Sequence, residues 1–303
     1  MPTFLEAISP EPMRRQLAEL VASDPETRVQ SYLLGQDRML QWAHTLGLAN
    51  HADLRARLSP VPPLELRRVD SAPEEPLYLW SGLMDISSFF AIYQRLGDQP
   101  LDRPTRVLDF GCGSGRLARY LNMHEDVEPF AVDANPLLVE WCQLNLDRAV
   151  TLLQAGRQRL PFGDGMFDFI YAPSLFTGAA HERMQPWFDE VTRVLAAGGL
   201  LLAVTYGPTA LAAIRASAAH RATFQITPAR AAELIEALPL EGRIHLPLEA
   251  SDAGEGFTFI HPDYAAANWN PEAFEILQHI PGGLRAWQDI VVLQRRIPEE
   301  DAE

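Results

Sequence analysis

The chain has 303 residues, 47% of them hydrophobic, enough for one large domain with a sizeable core. Its 40 acidic and 25 basic residues give a net charge of −15, and Lys and Arg never run beyond a doublet, which argues against a nucleic-acid partner. Two cysteines cannot build a disulfide framework or a zinc site by themselves, the N-terminus lacks a basic-then-apolar leader, and no apolar run approaches the ~18 residues of a membrane span, so a cytoplasmic protein with no membrane partner is expected.

In chain order, residues 10–58 place apolar side chains at spacings of three and four in "MRRQLAELV" and "RVQSYLLGQDRMLQWAHTLGL", which predicts helices. Residues 59–76, "SPVPPLELRRVDSAPEEP", are rich in proline and charge and read as a linker. A further helix is predicted over "YLWSGLMDISSFFAIYQRL". Its Trp80, Phe89, Phe90 and Tyr93, with Tyr264 and Trp269 later in the chain, are candidates to line an acceptor pocket. Residues 1–98 are expected to form a helical N-terminal cap with its linker, and residues 99–303 the main domain.

Strand and helix signals then alternate. "RVLDF", "PFAVDA", "VTLLQA", "FDFIYA" and "GLLLAVTY" are predicted strands; "GRLARYLNM", "PLLVEWCQLNL" and "MQPWFDEVTRVL" are predicted helices. That alternation predicts an α/β class: a Rossmann-like, doubly wound, mostly parallel sheet. After Tyr206 the rhythm breaks, with residues 208–239 helical and a mixed stretch behind them. "AFEILQHIP" and "WQDIVVLQRR", joined through "GGLRA", predict an antiparallel edge pair, and residues 207–262 are expected to be an insertion or lid.

Three glycines, Gly111, Gly113 and Gly115, follow the first predicted strand in "VLDFGCGSGRLARYL". They remove the Cβ atoms that block positive φ or close approach of a ligand, and a tight strand–helix turn asks for the same. Such a loop lies at the carboxyl end of a parallel sheet, where ligands bind. The dinucleotide fingerprint G-x-G-x-x-G fails because Arg116 stands at its third glycine, which disfavours a nicotinamide dehydrogenase. The next strand ends in Asp133, placed either to accept both hydroxyls of a ribose or to cap the following helix, a role equally open to Asn135.

The pattern D-x-G-x-G-x-G from Asp109, the acid at 133, "LPFGDGMFDFIYAPSLF" and "EVTRVLAAGGLLLAVTY" stand in the order and spacing of a known family over residues 107–206. They resemble the class I S-adenosylmethionine-dependent methyltransferases of small-molecule type. Less closely, "ANPLLVEWCQLNL", "SLFTGAAHERMQPWFDE" and the C-terminal stretch from His261 resemble a bacterial subgroup associated with glycan or secondary-metabolite biosynthesis. Phe176-Thr177-Gly178 and Trp287-Gln288-Asp289 depart from that subgroup's usual F-T-H and H-Q-D, so two histidines are lost.

The resemblance implies S-adenosyl-L-methionine as cofactor. It sets Asp109 near the ammonium group, Gly111, Cys112 and Gly113 against the methionine part, and Asp133 on the ribose. Ala134 would flank the adenine, Gly156 and Arg157 would face its edge, and backbone at Ala172 and Pro173 would approach the ammonium. Cys112 is expected as a small packed residue of the loop and not as a nucleophile. Ala172-Pro173-Ser174-Leu175 is neither the Pro-Cys of a cytosine-C5 methylase nor the N/D-P-P-Y/F of an amino methylase.

The implied activity is methyl transfer to a small-molecule acceptor, with a hydroxyl of a sugar or natural product favoured; a non-catalytic cofactor-binding protein is the rival. A hydroxyl acceptor calls for a base. The candidate is His261 in "FIHPDY", which could equally be a turn residue before Pro262, while His181 is expected to be exposed on a helix. No histidine spacing suits a metal, so no metal site is expected, and the sequence leaves the oligomeric state open.

Overall fold

The computed structural model describes residues 59–298 apart from 71, 99, 101–102, 155–158, 174, 179–180 and 249–255. The helices expected within residues 10–58 therefore lie outside the described residues. Seven strands form one sheet in the order β3-β2-β1-β4-β5-β9-β8. They are β1 Thr105–Phe110, β2 Val127–Asp133, β3 Val150–Leu153, β4 Phe167–Ala172, β5 Leu195–Thr205, β8 Phe274–Leu284 and β9 Gln288–Arg295. A separate two-stranded antiparallel sheet pairs β6 Arg243–Pro247 with β7 Gly256–Ile260. Parallel pairing joins β1 to β2 and β4, and β2 to β3, whereas β9 is antiparallel to both β5 and β8. The expected Rossmann-like, mostly parallel sheet with an antiparallel edge pair is what forms. No helix among the described residues is long and apolar enough to cross a membrane.

The described chain divides into two compact units, residues 59–171 with 194–199, and residues 172–193 with 200–298. In the first, β4 is buried along its whole length because "FDFIYA" offers apolar groups to both faces. Helix α1 spans Leu64–Val69 and helix α2 spans Glu75–Leu96. Phe89, Phe90 and Tyr93 of α2, candidates for an acceptor pocket, are instead buried against the sheet. The Tyr93 ring stacks on Phe169 at 4.6 Å, Phe90 meets Phe169 edge-on, and Phe89 lies 5.2 Å from the Tyr171 ring. Each such side chain contributes about 1.5–3 kcal/mol by leaving water, which is why they are core.

The proline-rich stretch expected to be a linker is a fixed strap containing α1. Its carbonyls are taken up by arginines: Arg67 donates to Pro73 O (2.8 Å) and Pro62 O (2.7 Å), and the fully buried Arg119 donates to Ser59 O (3.1 Å) and Pro60 O (3.0 Å). Arg119 also lies 4.9 Å over the Tyr78 ring. Helix α3, Ala118–Leu121, is shorter than predicted because the glycine turns consume its first residues. Helix α4 follows at Pro136–Asn145.

The second unit contains α5 Leu175–Gly178, α6 His181–Val194, α7 Pro208–Ala216, α8 Ala218–Phe224, α9 Pro228–Glu241 and α10 Pro262–Asn268. Residues 207–262, expected as an insertion, hold α7, α8, α9 and the β6/β7 pair around a core that includes Leu211, Phe224, Leu234 and Phe259. The β6/β7 pair was not foreseen in the mixed stretch.

Candidate active site

The loop between β1 and α3 is built from left-handed backbone, with φ of +84° at Gly111 and +57° at Gly113. Side chains other than glycine are strained there. A Cβ on Gly111 would meet nothing within 4 Å, so this part of the loop is an open cradle. A Cβ on Gly113 would instead run into the carboxylate of Asp70. Val132 O anchors the loop by accepting from Gly111 N (2.9 Å) and Cys112 N (3.0 Å).

Asp133 closes β2, and its carboxylate is aimed by two backbone donors. Oδ2 accepts from Gly113 N (2.9 Å) and Oδ1 from Asn135 N (2.8 Å). Each oxygen keeps a further lone pair for a ligand hydroxyl. The helix cap is Asn135, whose side chain accepts from Leu137 N at 3.0 Å, so the capping role open to Asp133 falls on Asn135. Ala134 is exposed beside it, and Gln154 N, after β3, donates to Asp133 O at 2.9 Å.

Asp109 is 1% exposed, and its Oδ2 has no hydrogen-bond partner among the described residues. Burial pushes its pKa up to about 7. The Tyr171 hydroxyl, close by but short of hydrogen-bond geometry, and the Arg116 guanidinium pull it down, while the negative charges of Asp70 and Asp133 push it further up. Arg116 makes its ion pair with another residue, Nη1 lying 2.7 Å from the buried Asp85. That pairing also explains why arginine stands where a dinucleotide fold needs glycine.

The sulfurs of Cys112 and Cys142 both lie 3.6 Å from Gly113 O and are buried. Hydrogen bonding to Cys142, with burial, raises the Cys112 thiol well above its ordinary pKa. The side chain thus packs behind the loop, as expected of a residue that is not a nucleophile. Gly156 and Arg157 lie outside the described residues. Ala172 ends β4, fully buried, and Pro173 follows half-buried; both belong to the second unit.

His261 is the N-cap of α10. Its Nδ1 accepts from Asp263 N at 3.3 Å and lies 3.5 Å from Asp263 Oδ2. Sequence reasoning passed over a different histidine in that unit. His279 Nε2 lies 3.1 Å from Oδ2 of Asp289, a fully buried carboxylate whose Oδ1 accepts from Gly282 N at 2.8 Å. His279 pairs with Val291 in the β8/β9 ladder, so it and Asp289 are diagonal neighbours on one face. Among the described residues no group of three His, Cys, Asp or Glu is arranged to hold a metal ion.

Residues 107–199 match the family model described as a methyltransferase domain, which takes in Asp109, the glycine loop and Asp133. An uncharacterized methyltransferase of Bacillus subtilis is 30% identical over 117 residues, 38% of this chain and 47% of that protein. A malonyl-[acyl-carrier protein] O-methyltransferase of Geobacter sulfurreducens is 28% identical over 157 residues, 48% of this chain and 57% of that protein. The chain spans about half the length of these curated relatives. Among solved structures, a 1,6-didemethyltoxoflavin-N1-methyltransferase of Burkholderia thailandensis with S-adenosylhomocysteine bound is 14% identical, covering 82% of this chain and 92% of that one at a TM-score of 0.45.

Proposed function

We propose that the chain is an S-adenosylmethionine-dependent methyltransferase acting on a small molecule, with a hydroxyl of a sugar or natural product as the favoured acceptor. The observation that carries this reading is the Asp133 carboxylate, oriented by Gly113 N and Asn135 N beside the open cradle at Gly111. Those groups fit the cofactor part by part. A ribose diol needs a fixed double acceptor, which Asp133 is. An amino-acid ammonium needs a buried carboxylate oxygen without a donor, which Asp109 Oδ2 is among the described residues. Backbone at Gly111 leaves room for the chain between them. The match of residues 107–199 to a methyltransferase domain supports the same cofactor.

When bound, the cofactor supplies an electrophilic methyl group on a sulfonium. The protein's part is to align an acceptor in line with that group and exclude water, and alignment of this kind is worth up to ~7–11 kcal/mol. No metal is required for it. The relatives named as O-methyltransferases support an oxygen acceptor, and the net charge of −15 supports a small molecule over a polynucleotide.

A hydroxyl acceptor must shed a proton, and His261 is the residue the sequence points to. Its Nδ1 is engaged in capping α10, which leaves Nε2 for the acceptor. A second reading assigns the proton to His279, because Asp289 is buried and holds its Nε2. A carboxylate there fixes the tautomer, keeps Nδ1 free to accept, and stabilises the imidazolium that forms.

The test is calorimetry with S-adenosylhomocysteine, followed by incubation with methyl-labelled cofactor and a panel of sugars, phenols and malonyl-[acyl-carrier protein]. Binding with acceptor-dependent release of S-adenosylhomocysteine is expected. Absence of binding refutes the proposal, and binding without transfer to any acceptor favours the non-catalytic rival.

A further inference from the structure

The strap before α2 reaches the glycine loop at one residue outside every sequence motif. Asp70 follows α1, and its Oδ2 accepts from Ser114 N at 3.3 Å and makes a short hydrogen bond with Ser114 Oγ. Its Oδ1 fills the space that a Gly113 side chain would take. The strap is held by the Arg67 and Arg119 bonds described above, and Tyr78 Oη completes the anchorage by donating to Ser114 O at 3.0 Å. Asp70 is therefore delivered to the loop by built structure.

Three carboxylates, Asp70, Asp109 and Asp133, now surround one loop, and the adjacent guanidinium of Arg116 is committed to Asp85. Asp109 Oδ2, at a residue 1% exposed, is left with no donor among the described residues. The loop thus holds a surplus of acceptors, with no donor on Asp109 Oδ2 among the described residues and the nearby Arg116 spending its ion pair on Asp85. A sulfonium has no N–H to give, whereas an ammonium has three. We infer that Asp70 is a cofactor-binding residue that shares with Asp109 the ammonium group at the amino-acid end of the cofactor. This rests on the reading of the loop as an adenosyl amino-acid site. Glycine at 113 then serves a second purpose, since any side chain there would expel Asp70.

The test compares two ligands by calorimetry: S-adenosylhomocysteine, and methylthioadenosine, which keeps the nucleoside but lacks the amino-acid end. Asp70→Asn preserves volume and an acceptor for Ser114 N; Asp70→Ser is the second variant, and thermal denaturation checks that each is folded. Loss of a charge-assisted contact should weaken S-adenosylhomocysteine by roughly 10–100-fold and leave methylthioadenosine within about twofold. Equal weakening of both ligands overturns the inference, because Asp70 would then only shape the loop. Unchanged or tighter S-adenosylhomocysteine binding in either folded variant also overturns it. If the wild-type protein binds neither ligand, the cofactor reading itself falls, and this inference with it.

Discussion

Asp109→Asn tests the electrostatics of the loop without any ligand. Burial moves the Asp109 pKa from an ordinary 3.8 to about 7, so between those values the folded protein holds a proton that the unfolded chain has released. The folded state then binds more protons, and stability falls as pH rises through this window and levels off above it. A shift of about three units at ~1.36 kcal/mol each sets the whole effect at ~4 kcal/mol, an upper figure because a relaxing site admits water. Asparagine keeps the shape and removes the titration. Urea unfolding of the apo proteins from about pH 4 to about pH 8.5 measures the difference. Asp70, Asp85 and Asp133 are present in both proteins and largely cancel. The variant should gain on the wild type as pH rises, most steeply midway between 3.8 and about 7, and the gain should level off above about 7. A flat difference curve, or one of opposite slope, refutes the account. Cofactor binding should show the same group from the other side. An ammonium favours the ionised carboxylate, so S-adenosylhomocysteine affinity should rise with pH through about 7 in the wild type and not in Asp109→Asn.

Asp133→Ala removes the carboxylate oriented by Gly113 N and Asn135 N, and on the proposed ribose role S-adenosylhomocysteine affinity measured by calorimetry should fall by roughly 10–100-fold. Asp85→Ala strands the Arg116 guanidinium in a site where both side chains are under 10% exposed, and should cost about 3–5 kcal/mol in chemical denaturation. The two histidines separate by readout. If His279 is the base, His279→Ala should lower kcat by about 10²–10⁴-fold at unchanged S-adenosylhomocysteine affinity. His261→Ala should cost about 1 kcal/mol of stability through loss of its N-cap and, if His261 is the base, lower kcat by the same factor. A strong kcat loss in His261→Ala alone assigns the base to His261, and one in His279→Ala alone assigns it to His279.

Where pattern and burial coincide, the fold was legible. "FDFIYA" has one physical solution, a strand buried on both faces, and it forms β4 with the predicted bounds. The edge pair was equally plain from two apolar runs around a glycine turn. What escaped depends on register or on distance along the chain. His279 and Asp289 meet across the β8/β9 ladder, whose register shifts between Ile276 and Gln278 and again between Ile280 and Leu284, and no periodicity encodes such shifts. Asp70 and Ser114 are 44 residues apart, and the strap that joins them was disguised as a linker by its prolines. The carbonyls of that stretch are claimed by Arg67 within it and by the buried Arg119 from elsewhere in the chain.

Asp109 and Asp133 look alike in sequence, each an acid near the end of a parallel strand. Their surroundings make them different reagents. Asp133 is half-buried and already takes two backbone N–H groups, so it offers a hydroxyl pair a fixed direction and needs no charge from the ligand. Asp109 is sealed, lacks a partner for Oδ2 among the described residues, and carries an ionisation penalty that a proton or a cation relieves. The same loop therefore presents a directional acceptor at one end and an unmet demand for positive charge at the other. A molecule that joins a diol to an ammonium satisfies both, whereas a dinucleotide would bring phosphate charge towards three carboxylates. The polarity of the site, more than the spacing of its glycines, sets it apart from a nicotinamide-binding loop.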